Sequence, residues 1–152
     1  MTPLDAALLP SGIRSRFVDD INGLSVHILE AGFGTPGRPL IVMLHGFPEI
    51  AYSWRKVMPA LAEVGYHVVA PDLRGYGRTT GWSANYDDDL RPFRPLNAVR
   101  DTLGLVSALG YRTAACADSA ASRKLPKSVL LSVENCSRTT ECPKQTNKSM
   151  AT

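Results

Sequence analysis

The sequence predicts an α/β fold in which a parallel sheet with helices follows an antiparallel N-terminal hairpin. Three observations carry that reading. Asn22-Gly23 lies between two strand-like runs, and both residue types accept the positive φ that a tight hairpin turn demands. The runs Leu40-Ile41-Val42-Met43-Leu44 and Tyr66-His67-Val68-Val69-Ala70 are apolar without alternation, as strands covered on both faces are. Helical patterns stand after each run, so strand and helix alternate along the chain.

The hairpin occupies residues 14–31. In its second arm Leu24, Val26 and Ile28 fall on one face by the period of two, which places Ser25 and His27 on the other, as surface positions. Residues 32–39 form a loop with three glycines and two prolines. After the first apolar strand, residues 51–64 read as helical, with Pro59 either kinking the helix or opening its second half. Gly65 suits a helix C-terminus, and the second apolar strand follows, with His67 at its opening read as another surface histidine. Residues 74–95 make a long loop rich in Arg, Gly, Pro and Asp. Pro95 opens a last helix in which Leu96, Val99, Leu103, Val106 and Leu109 keep 3–4 spacing, and Gly110 ends it.

Composition bounds the function classes. Of 152 residues, 44% are hydrophobic and 20% charged, values of a globular chain that exclude a collagenous or wholly disordered one. The longest uncharged apolar run, residues 39–44, is far short of the roughly 20 residues a membrane helix needs. The N-terminus lacks the basic and apolar regions of a signal peptide, so the expected compartment is the cytoplasm. The formal charge of +3 resides wholly in residues 113–152, so it does not point to a nucleic-acid partner.

That last segment differs in character from the rest. All 12 glycines and all 3 histidines lie in residues 1–112, while Cys116, Cys136 and Cys142 lie beyond. The cysteines have no histidine nearby to complete a zinc site, and Gly32-Phe33-Gly34 precedes a strand rather than a helix, so neither a metal nor a dinucleotide cofactor is expected. We read residues 1–112 as one part of a domain and residues 113–152 as an unrelated, disordered tail, with a short strand offered at Val129-Leu130-Leu131. The expected origin of the change near Cys116 is a wrong frame, an unspliced intron or an alternative exon.

The chemically informative motif is His45-Gly46-Phe47-Pro48-Glu49, placed where a buried strand meets a loop. Ligand sites of open α/β sheets lie beyond the carboxyl ends of the strands, where a backbone N–H can face a developing oxyanion. Tyr52-Ser53-Trp54-Arg55 follows at short range, and Ala70-Pro71-Asp72-Leu73-Arg74-Gly75-Tyr76-Gly77-Arg78 comes about twenty residues later. Together these motifs resemble the N-terminal half of an α/β-hydrolase fold, in the epoxide-hydrolase-like branch that also includes haloalkane dehalogenases.

The resemblance implies a partial α/β-hydrolase fold, truncated before the nucleophile elbow. It gives Phe47 the role of oxyanion-hole N–H donor, Pro48 a cis peptide bond, and His45 and Gly46 the support of that loop. It makes the turn at 72–77 structural. Trp54 is a candidate for the substrate pocket, against the packing role common for a helix-face tryptophan. The family reaction opens an epoxide by an aspartate nucleophile through an alkyl-enzyme ester, which a histidine base then hydrolyses. The substrate implied is a small epoxide or ester. No glycine follows Gly110 and no histidine follows His67, so this sequence writes neither the Gly-x-Asp-x-Gly nor the Gly-x-Ser-x-Gly elbow, nor the base. Asp118 falls near the nucleophile position, yet lacks both glycines and a preceding apolar strand. No catalytic residue is therefore assigned in this chain.

Overall fold

The computed structural model describes residues 1–118 and 129–132. A six-stranded mixed sheet has the order β1-β2-β4-β3-β5-β6, in which β1 is Ile13–Ile21, β2 Leu24–Ala31, β3 Leu40–Leu44, β4 His67–Pro71, β5 Thr113–Asp118 and β6 Val129–Ser132. Strands β4, β3 and β5 run parallel, and β2 lies antiparallel to β4, joining the hairpin to the parallel core. Among the described residues no helix is long and apolar enough to cross a membrane.

The hairpin closes at Asn22-Gly23 with φ of 50° and 79°, and Ile21 pairs Leu24 across the turn. An irregularity between Val18 and Ile21 accommodates Asp20, which also has positive φ. The alternation expected of β2 does not hold: every residue from Val26 to Ala31 is buried. The strand lies between β1 and β4 with material on both faces, so its polar residues are interior rather than exposed. His27 and His67 are accordingly buried, at 3% and 8% exposure, and neither is a surface residue.

Two apolar clusters sandwich the sheet. One joins Leu24, Val26 and Ile28 of β2, Val42 of β3 and Val69 of β4 to Leu105 and Val106. The other joins Leu29, Met43, Val68 and Ala70, of the opposite parity, to Ala51 and Met58. Residues 51–64 split as the proline suggests. A 3-10 segment covers Ala51–Lys56, and helix α1, Met58–Glu63, begins with Pro59 in its first turn, where the missing N–H costs nothing.

Helix α2, Pro95–Ala108, covers the first cluster but turns a different face inward than its apolar spacing suggests. Its buried residues are Asp101, Thr102, Leu105 and Val106, while Leu96 and Val99 are 63% and 46% exposed. The cause is polar. Asp101 accepts two hydrogen bonds from Arg74, both at 2.9 Å, and one from Asn22 at 3.0 Å, fixing the helix rotation.

The boundary drawn at residue 112 is not respected by the sheet. Thr113–Asp118 forms β5 and pairs residue by residue with β3, from Leu40 opposite Ala114 to Leu44 opposite Asp118. Small side chains hid this strand. Ala114, Ala115, Cys116 and Ala117 give no apolar run, but backbone pairing beside β3 needs none. Val129–Ser132 pairs antiparallel with β5, within which the short strand at 129–131 was expected. Cys136 and Cys142 lie outside the described residues.

Candidate functional site

The sheet brings the two sequence motifs together because β3 and β4 are parallel neighbours. His45 leaves the carboxyl end of β3 and Asp72 the carboxyl end of β4, at the same edge of the sheet. Asp72 is 2% exposed and saturated with donors. Its Oδ1 accepts the Ala51 N–H at 2.8 Å, and its Oδ2 accepts the Arg78 N–H at 2.9 Å and bonds His27 Nδ1 at 2.7 Å. Burial alone would raise the Asp72 carboxyl, but the hydrogen bonds from His27, Arg78 and Ala51 outweigh it and hold the group below the ordinary carboxylate range. Gly77, at φ of 54°, leaves room for this carboxylate: a Cβ there would collide with Asp72.

His45 forms the second tie. Its Nε2 accepts the Leu73 N–H at 3.0 Å, so Nδ1 carries the hydrogen in the neutral ring and donates to Gly46 O at 3.1 Å. The Tyr76 ring meets His45 edge-on, with centroids 5.1 Å apart. The loop 45–50 is thus fastened at both ends to the exit of β4, through His45 at its start and Ala51 just beyond its end. A turn bond from Glu49 N–H to Gly46 O at 2.9 Å closes it, and the Phe47–Pro48 peptide is cis.

Held in this way, Phe47 stands out from the fold with 85% of its surface exposed. Its backbone N–H has no acceptor among the described residues. A preorganised donor at the carboxyl edge of a parallel sheet is suited to stabilise negative charge that develops on a bound oxygen. Of the other expected site residues, Gly46 sits in the loop as its carbonyl-bearing turn residue. Trp54 is half-buried and packs against the second apolar cluster, its Nε1 buried with no hydrogen-bond partner among the described residues.

His27 is the residue that the sequence undervalues. The 72–77 turn is structural, as expected, with Asp72 at its head, but His27 is no surface residue: it is buried against Asp72. The available signal was the immediate succession of a buried strand and an acid, a position where burial demands partners. At the neighbouring strand, Asp118 ends β5 opposite Leu44, at the same edge as His45. Burial pushes the Cys116 thiol up to about 11, so it is neutral at physiological pH and a poor nucleophile. Among the described residues no group of three or more His, Cys, Asp or Glu could hold a metal ion.

Known proteins resemble this chain in sequence and fold. Residues 39–111 match the family model of the alpha/beta hydrolase fold. Epoxide hydrolase A of Mycobacterium tuberculosis is 43% identical over 95 residues, covering 62% of this chain and 27% of that protein. Epoxide hydrolase 3 of Siraitia grosvenorii is 42% identical over 91 residues, covering 59% and 25%. Among solved structures, epoxide hydrolase A from Mycobacterium thermoresistibile superposes with a TM-score of 0.61 at 40% identity, covering 70% of this chain and 31% of that one. A mutant of potato epoxide hydrolase gives 0.60 at 41%, with 70% and 31% covered. The chain thus spans about a quarter of the length of these curated relatives. By fold and by sequence it carries an N-terminal part of an α/β-hydrolase fold, similar to that of the epoxide hydrolases.

Proposed function

We propose that residues 1–118 supply the oxyanion-loop portion of an epoxide-hydrolase-like enzyme, with Phe47 N–H as donor and His45, Gly46 and Pro48 shaping its loop. The observation that carries this reading is the doubly tied loop, which holds Phe47 outward with its N–H uncommitted at the carboxyl edge of the sheet. The substrate class is a small epoxide, opened by an aspartate nucleophile through an alkyl-enzyme ester; an ester or haloalkane is the variant within the same class. Trp54 contributes to the pocket floor through the cluster it packs on. A cytoplasmic location and the absence of a nucleic-acid partner belong to the same reading.

The chain by itself is catalytically inactive in this proposal. Its 152 residues write no glycine-flanked elbow after Gly110 and no histidine after His67, so covalent capture and general-base hydrolysis both lack their groups. The alternative role is that of a non-catalytic fragment or binding partner. Two measurements test the reading. The purified 152-residue chain should hydrolyse styrene oxide no faster than buffer, and turnover would overturn the inactivity. A chimera in which residues 39–111 replace the matching segment of a 43%-identical epoxide hydrolase should fold and turn over epoxide. A folded but inactive chimera would overturn the assignment of the loop.

A further inference from the structure

Three side chains from separate elements form a line that reaches past the loop ties to a serine: Ser15 on β1, His27 on β2 and Asp72 after β4, of which Asp72 also holds the Ala51 N–H through its other oxygen. His27 Nε2 lies 2.7 Å from Ser15 Oγ, and His27 Nδ1 lies 2.7 Å from Asp72 Oδ2. An ionised Asp72 only accepts, so Nδ1 carries the ring hydrogen and Nε2 faces the hydroxyl as an acceptor. Ser15 Oγ already accepts the Leu4 N–H at 2.8 Å, which leaves its own hydrogen for His27. The burial gradient has the order a reactive serine needs. Asp72 and His27 are 2% and 3% exposed, while Ser15 keeps part of its surface open.

Nucleophile, base and orienting acid are recognised by geometry and role rather than by position in a fold. We propose that Ser15 is an activated serine, esterified by small activated acyl or phosphonyl compounds with His27 as general base and Asp72 as its orienting partner. In the phosphonyl case Ser15 Oγ attacks phosphorus, forming an O–P bond while the P–F bond breaks and fluoride leaves. The hydroxyl proton passes to His27 Nε2, and the resulting imidazolium lies against the Asp72 carboxylate. The Leu4 N–H faces the serine oxygen as it gains negative charge. Asp72 is shared with the loop ties, but the serine chemistry does not rest on the epoxide reading.

The test uses the full 152-residue chain and an alkyl fluorophosphonate, with peptide mapping by mass spectrometry. Ser15 should take the label about 100-fold faster than the exposed Ser11 and Ser83 of the same molecules, the gain a positioned base gives. In urea the preference should vanish, and His27→Gln should abolish it while circular dichroism reports on folding. Even labelling of all three serines in the folded wild-type chain overturns the proposal, with no variant needed. An unlabelled Ser15 overturns it equally.

Discussion

The seam between β2 and β4 holds two histidine–carboxylate pairs in opposite order. At one end His27 of β2 meets Asp72 beyond β4; at the other Glu30 of β2 meets His67 of β4. Both carboxylates are buried, yet they are satisfied differently. Asp72 is held by the His27 ring and by the backbone N–H groups of Arg78 and Ala51, which belong to two different chain segments. Glu30 is held by side chains: Arg16 Nε at 2.6 Å, Arg14 alongside it, and His67 at 3.2 Å, itself bonded to the Tyr111 hydroxyl at 2.8 Å. The arginines are 48% and 36% exposed and can find water if released. The loop N–H groups around Asp72 cannot move without moving the loops. One carboxylate therefore organises backbone, and the other only collects charges.

That contrast orders the effects of substitution. Asp72→Ala should cost most, about 3–5 kcal/mol in urea unfolding, because it strands His27, the buried Ala51 N–H and the half-buried Arg78 N–H together. Glu30→Gln should cost less, about 2 kcal/mol at neutral pH, since its arginine partners resolvate. A Glu30 loss exceeding the Asp72 loss would break the contrast. Glu30 sharpens it in acid as well. Burial alone would raise its carboxyl, but hydrogen bonds from His67, Arg16 and Arg14 hold it at about 2, against an ordinary 4.5. Its contribution is then complete above about pH 4.5 and fades as pH falls towards 2. The urea midpoint of Glu30→Gln should decline less between pH 5 and pH 3 than that of the wild-type chain. Smallest of all, Phe47→Ala should change stability by no more than about 0.5 kcal/mol, because the side chain is exposed. A large loss would mean that the ring, not only its backbone, holds the loop.

Local signals in the sequence were enough for the hairpin, the strands β3 and β4, the break within residues 51–64 near Pro59 and the loop of residues 45–48. Each rests on turn chemistry or hydrophobic continuity within a few residues. What escaped depends on partners distant along the chain. His27 finds Asp72 only once β2 pairs with β4, and α2 turns Asp101 inward only because Arg74 and Asn22 wait there. Strand β5 escaped for a related reason. A run of alanines gains its strand conformation from the exposed backbone of β3 rather than from its own side chains. The packing of Trp54 against the apolar cluster is the role common for a helix-face tryptophan, and its part in a pocket belongs to the proposed function.

The two indoles of the molecule lie on opposite sides of one sheet. Trp82 packs against the cluster beneath α2, with the Phe93 ring edge-on at 5.8 Å, and Trp54 packs against the cluster beneath α1. The protein thus carries a native fluorophore for each of its two interiors. Single Trp→Phe variants turn its emission into two separate clocks, and their agreement or disagreement during denaturation reads directly whether both halves of the sandwich melt as one cooperative unit.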